Sequence, residues 1–311
     1  MFAKTNTPTE KKTLISIVGP TAIGKTALAI ELAQKFSTEI ISADSRQFFS
    51  EMEIGTAKPD AGELKAAKHH FINSHSVSTL FSTGDFEIEA LKVLDEIFTG
   101  HNLAIMVGGS GLYINAVLNG LDEMPEIDFN VRERLNQQFQ EQGIGPIRSQ
   151  LQELDPEYFA EVDQFNPQRM IRGLEVFLST GQKLSSMRSA KKKERAFDVI
   201  KIGLNTDRAK LYERINLRVD QMIKAGLIDE VKSLLPYRKY NALNTVGYSE
   251  IFSYLDGEIS LEDAISAIKQ NTRRFAKRQL TWFRRDQEIT WFEPGETQQV
   301  VDFMINRENT Q

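Results

Sequence analysis

The sequence has no cysteine among its 311 residues, only two tryptophans and four histidines, and no apolar run of membrane-spanning length. Each absence removes a class of function. Without cysteine there is no disulfide, no thiolate metal site and no cysteine nucleophile, which agrees with a reducing compartment. Without a long apolar stretch no transmembrane helix is expected, and residues 1–12 are polar with no hydrophobic segment to direct export, so the expectation is a cytoplasmic protein with no membrane partner. Positive charge is in short supply: 38 Lys and Arg against 43 Asp and Glu leave a net charge of −5, which argues against a uniformly basic nucleic-acid binder but leaves room for a local basic face. The chain also lacks N-K-x-D and D-x-x-G, which disfavours a GTPase switch.

What is present is globular in bulk, with 41% hydrophobic and 26% charged residues, long enough for one large domain with an insertion or for two domains. The organising stretch is Gly19-Pro20-Thr21-Ala22-Ile23-Gly24-Lys25-Thr26, which matches the phosphate-loop pattern G-x-x-x-x-G-K-[ST]. Its context fits: Leu14 to Val18 reads as a buried strand before it, and the Ala- and Leu-rich run after it reads as a helix. Such a loop turns successive N–H groups inward at a helix N-terminus and so binds phosphate. Lys25 would reach the terminal phosphate and the Thr26 hydroxyl a Mg²⁺ ion.

Two further apolar strands end in polar residues. Glu39 to Ala43 leads into Asp44-Ser45-Arg46-Gln47, and Leu103 to Val107 leads into Gly108-Gly109-Ser110-Gly111. Ligands of open α/β sheets lie beyond the carboxyl ends of strands, which places Asp44 beside the loop's ligand; as an alternative it caps its own turn. Ser110 either contacts a ligand or belongs to a tight strand-to-helix turn. His69, His70 and His75 are close in sequence, but without a helical i, i+4 pair they read as a loop with one positioned imidazole.

From Asp128 to Met187 the pattern holds helices only, the last opened by Asn166-Pro167. This last helix carries Gln168, Arg169 and Arg172, which form either a solvated face or a polyanion contact; Arg132 shares that ambiguity. The stretch from Arg188 to Arg195 reads as an exposed basic loop. Strand returns near Asp198, and the following helix places Arg214 and Arg218 one turn apart, able to add a cation over the phosphates. Residues 269–285 contain seven Lys or Arg and no acid. On a helix, Ile268, Phe275, Ala276, Gln279, Trp282 and Phe283 gather on one side, with Arg273, Arg274, Lys277, Arg278, Arg284 and Arg285 on the other. That face favours a nucleic-acid partner.

Taken in order, the phosphate loop, Ser42-Ala43-Asp44-Ser45 with Gln47, Ile54-Gly55-Thr56-Ala57-Lys58-Pro59, Val107-Gly108-Gly109, Pro167-Gln168-Arg169, Val246-Gly247-Tyr248 and Ala276-Lys277-Arg278-Gln279 resemble the motifs of bacterial tRNA dimethylallyltransferases, over about residues 13–292. The resemblance implies an α/β fold, a P-loop NTPase-like core with a mostly parallel sheet flanked by helices, plus an all-helical insertion domain. The expected boundaries are 13–123 and 196–292 for the core, 124–195 for the insertion and 293–311 for a polar, frayed tail. The implied reaction is transfer of a dimethylallyl group from dimethylallyl diphosphate to N6 of adenine 37 in the anticodon stem-loop of tRNAs reading codons that begin with U.

By the same resemblance, Asp44 is the base, Ser110 orients the amine or base, and Arg218 stabilises the departing diphosphate. The loop Gly19 to Thr26 holds the diphosphate with Mg²⁺ on Thr26. The implied tRNA contacts are Asp44, Ser45, Arg46, Gln47, Ser110, Arg132, Gln168, Arg169, Met170, Ile171, Arg172, Gly247, Tyr248, Lys277 and Arg278, and the expected state is a monomer. Position 110 is more often Thr in the family, and Asn244 and Ser249 replace residues that are usually basic there. A small-molecule or nucleotide kinase is the rival reading of the core, although it leaves the insertion and the basic helix unexplained.

Overall fold

Predominantly apolar runs become the central strands. Thr13–Val18 (β1) is buried along its whole length and pairs in parallel with Leu103–Gly108 (β4) on one side and Asp198–Leu204 (β5) on the other. The computed structural model describes residues 11–122, 124–188 and 192–308, and these divide into two compact units, 119–193 and the remainder. In the larger unit Ile40–Ser42 (β2), His69–His70 (β3) and Thr290–Phe292 (β6) complete a parallel six-stranded sheet of order β3-β2-β4-β1-β5-β6.

Helices Lys25–Phe36 (α1), Ala61–Ala66 (α2) and Thr83–Gly100 (α3) connect the first four strands, and Gly111–Asn119 (α4) follows β4. One face of the sheet packs Ile15, Ile17 and Ile202 against Leu28 and Leu32 of α1, and the other packs Leu14, Ile41 and Met106 against Phe86 and Leu94 of α3. β4 inserts between β2 and β1, so the carboxyl ends of these three strands lie side by side, and the chain's polar strand ends meet there.

The smaller unit is helical: Phe129–Gln142 (α5), Ile144–Leu154 (α6), Pro156–Glu161 (α7), Pro167–Thr180 (α8) and Leu184–Met187 (α9) surround Leu135, Ile147, Leu151, Met170 and Leu174. Asn166 caps α8 by accepting from the Arg169 N–H, and Pro167 opens it. The chain enters this unit at Asn119 and leaves at Lys193, and the Lys193 N–H donates to the Asn119 carbonyl at 2.8 Å. Ser189, Ala190 and Lys191 of the basic stretch lie outside the described residues, as do residues 1–10 of the polar start.

After β5 come Arg208–Lys224 (α10), Leu227–Ser233 (α11), Tyr248–Leu255 (α12) and Leu261–Phe283 (α13). The tail differs from expectation. Thr297–Glu308 forms a helix (α14) that sends Val300, Val301 and Met304 into the core beside α1, and the burial of those three side chains is what folds an otherwise polar segment. The histidines differ too. His69 and His70 form strand β3, where His70 Nε2 pairs with Glu39 at 2.6 Å, and no metal-binding cluster is found among the described residues.

Candidate active site

The phosphate loop leaves β1 with Gly19 at φ +146°, close against β5: a Cβ there would stand 2.6 Å from the Leu204 carbonyl oxygen, so only glycine fits. Three side chains brace the loop. Lys25 Nζ donates to the Pro20 carbonyl at 2.8 Å, Arg214 Nε donates to the Ala22 carbonyl at 2.9 Å, and Gln279 Oε1 accepts from the Thr21 N–H at 2.8 Å. Burial lowers the Lys25 ammonium to about 8; Asp44 opposes the shift and Arg218 reinforces it. Burial likewise lowers the Arg218 guanidinium, with Arg214 adding to the effect. Cations packed this closely favour a polyanionic ligand.

Asp44, at the end of β2, does what both sequence readings allowed. Its Oδ1 accepts from the Arg46 N–H at 3.0 Å, forming a turn, and the residue also faces the cavities. Ser110, at the end of β4, is tied to that same turn: its Oγ accepts from the Ser45 N–H at 3.0 Å and donates to Ser45 Oγ at 3.2 Å. Gln47 lines the larger cavity and also holds the neighbouring loop. Its Nε2 donates to the carbonyls of Thr56 and Ala57, and its Oε1 accepts from Ser42 Oγ.

Two cavities open onto these residues. One, of about 810 Å³, is lined by the phosphate loop from Thr21 to Thr26 together with Lys58, Arg214 and Arg218. The other, of about 410 Å³, is walled by Leu112, Tyr113, Val246, Phe275 and Trp282 with Arg46 and Arg278. Thr21, Asp44, Arg218 and Gln279 line both, so the carboxylate of Asp44 stands where a charged basin meets an apolar channel. Burial lowers the Arg46 guanidinium in the channel wall, while Tyr113 and Asp44 oppose that shift.

The remaining expected residues divide. Gly247 lines the channel at φ +97°. Tyr248 is fully buried and donates its hydroxyl to Glu230 Oε1 at 2.6 Å; apolar neighbours make it a core residue, so its side chain is not a surface contact. Within the helical unit Gln168 and Arg169 are exposed at the start of α8, whereas Arg132 and Arg172 both pair with the buried Glu175 at 3.0 Å. Met170 and Ile171 were expected at the RNA but point into that unit's own core, at 0% and 2% exposure.

On α13 the expected two-sided division is also corrected. Arg273 turns to α10, donating to Asn216 Oδ1, and Lys269 pairs with Asp220, while Arg278 sits over the Phe275 ring at 5.8 Å in the channel wall. Lys277, Arg278, Arg284 and Arg285 are exposed and make no ion pair among the described residues.

Glu230 is the brace that the sequence did not reveal. The Glu230 carboxylate accepts from the N–H groups of Glu53, Ile54 and Gly55 at 3.1, 2.6 and 3.1 Å and so fixes the loop that roofs the basin. Nothing local to residue 230 signals that role. Arg214, expected one turn before Arg218 as a further cation over the phosphates, lines the basin and also holds the loop through the Ala22 carbonyl.

The fold and site define a P-loop-type α/β protein that sets a phosphate-binding basin against an apolar channel. The model of the IPP transferase family matches residues 47–286, and the chain belongs to that family. It is 55% identical to the tRNA dimethylallyltransferase of Christiangramia forsetii, over 96% of this chain and 99% of that one, and 48% identical to that of Cytophaga hutchinsonii, over 94% and 96%. Among solved structures it is similar to the tRNA isopentenylpyrophosphate transferase of Bacillus halodurans, with TM-score 0.72, 37% identity and coverage of 96% and 98%. It is also similar to a eukaryotic dimethylallyltransferase acting on tRNA, with TM-score 0.79, 26% identity and coverage of 95% and 80%.

Proposed function

We propose that this protein is a cytoplasmic, monomeric tRNA dimethylallyltransferase. It moves the dimethylallyl group of dimethylallyl diphosphate to N6 of adenine 37 in the anticodon loop of tRNAs reading codons that begin with U, and releases diphosphate. The observation that carries this reading is the meeting of the two cavities at Asp44. A small-molecule kinase needs the charged basin but has no use for a channel lined by Leu112, Phe275 and Trp282 that ends on a carboxylate.

An exocyclic adenine amine is a weak nucleophile, so its attack on the allylic carbon needs a good leaving group and a proton acceptor. The carbon–oxygen bond to diphosphate breaks as the N6–carbon bond forms, and the N6 proton passes to the Asp44 carboxylate. Lys25, Arg218 and the loop N–H groups take up the charge that develops on diphosphate, and Ser110 holds the Asp44 turn and orients the base. The adenine leaves its stack to enter the channel, at about a few kcal/mol in a loop, and contacts from Ser45, Arg46, Gly247, Lys277 and Arg278 offset this. Gln168, Arg169, Arg132 and Arg172 offer the helical unit's own contacts to RNA.

Mg²⁺ fits this site in one way. Thr26, which lines the basin, would hold the ion through its hydroxyl, as suits an ion that keeps waters and phosphate oxygens. Bound there, it would neutralise diphosphate charge. Purified protein incubated with Mg²⁺, unmodified tRNA and radiolabelled dimethylallyl diphosphate should place label on N6-modified adenosine after nuclease digestion. Unlabelled tRNA, together with phosphate transfer from ATP to a small acceptor, would favour the kinase instead.

A further inference from the structure

Gln279 lies on α13 between the exposed residues Lys277 and Arg278 and the packed interior, and it is 6% exposed. Both ends of its amide are used. Oε1 accepts from the Thr21 N–H at 2.8 Å, and Nε2 donates to the Gly109 carbonyl at 3.0 Å. Thr21 belongs to the phosphate loop at the end of β1, and Gly109 directly precedes Ser110 at the end of β4. One planar amide of fixed length therefore spans the two strand-end loops and sets their separation. The approach at Gly109 is close: a Cβ there would stand 2.2 Å from Nε2. Gln279 also lines both cavities, at the place where they meet.

We propose that Gln279 is a positioning residue that holds the phosphate loop and the Ser110 loop in register, so that the allylic carbon and the acceptor amine come together aligned. This rests on the transferase reading. Methionine has about the same length as glutamine but no polar atoms to replace the amide, so Gln279→Met frees both loops at once. Misalignment between reacting groups weakens the chemical step more than it weakens binding, because the near-attack geometry disappears while each substrate keeps the groups that hold it.

The test is single-turnover transfer by Gln279→Met and by Gly109→Ala beside the unaltered protein, with the tRNA Kd and the Tm measured on the same samples. Gly109→Ala displaces the same amide from its other end without altering α13, and it carries the test if the first variant does not fold. Expected for both is a fall in kcat of about 30-fold or more with a tRNA Kd within about twofold. Wild-type kcat in folded samples overturns the positioning role, and so does a loss that merely follows the unfolded fraction. If the unaltered protein itself transfers nothing, the transferase reading falls and the positioning role falls with it.

Discussion

Replacing Asp44 with asparagine removes one proton acceptor while leaving the hydrogen bonds around it in place. Asparagine keeps an oxygen where Asp44 Oδ1 accepts from the Arg46 N–H at 3.0 Å, so the turn from Asp44 to Gln47 should survive, and with it the Ser110–Ser45 hydrogen bonds. What disappears is the carboxylate at the junction of basin and channel. A positioned general base is worth about 10²–10⁴-fold in rate, so kcat should fall by at least about 10²-fold, roughly 3 kcal/mol in the barrier. The tRNA Kd should change by no more than about twofold, because the exposed basic face is untouched by the substitution. Rapid-quench single turnover with enzyme in excess over tRNA reads the chemical step, and fluorescence anisotropy with labelled anticodon stem-loop reads binding. A rate within about threefold of wild type, or equal losses in rate and binding, would refute the assignment of Asp44 as base.

Other consequences can be measured separately. The double variant Lys277→Ala with Arg278→Ala should weaken tRNA binding and flatten the dependence of log K on log salt by about one unit for each phosphate no longer neutralised, and an unchanged slope removes these residues from the interface. Glu230→Ala leaves the N–H groups of Glu53, Ile54 and Gly55 without their acceptor, and should lower stability to urea by about 3 kcal/mol. Within the helical unit, burial would raise the Asp155 carboxyl, but the hydroxyl and N–H of Ser185 and the N–H of Tyr158 outweigh it and hold the group below the usual range. The unfolded chain then takes up that proton first, so this contribution is complete above the ordinary carboxylate range and lost as pH falls below it. Asp155→Asn should flatten the acid limb of a thermal-melting profile, and a limb identical to wild type would contradict this.

How much of this was legible in the sequence depends on how far each feature reaches along the chain. The phosphate loop, the three strand ends and the capped start of α8 are local: a few residues state their own backbone needs, and the structure meets them. The tail was misread because Val300, Val301 and Met304 are too few to mark a helix without the surface of α1 that receives them. Strand β3 is two residues long and exists through pairing with β2, not through any alternation of its own. Gln279 and Glu230 brace loops 170 or more residues away along the chain, so only the folded molecule shows what they hold.

The neck at Asn119 and Lys193 has a consequence for how this protein can change. One backbone hydrogen bond joins the points where the chain enters and leaves the helical unit, and just beyond it Arg195 donates to the Ala116 and Val117 carbonyls at the end of α4 and pairs with Glu87 at 2.8 Å. As far as the register of the sheet is concerned, everything between residues 119 and 193 is a long turn with its ends pinned. The entropy of closing such an excursion grows only logarithmically with its length. Helices inside it can therefore lengthen, shorten or exchange their exposed side chains while the register of the sheet, and with it the strand ends around Asp44, stays as it is.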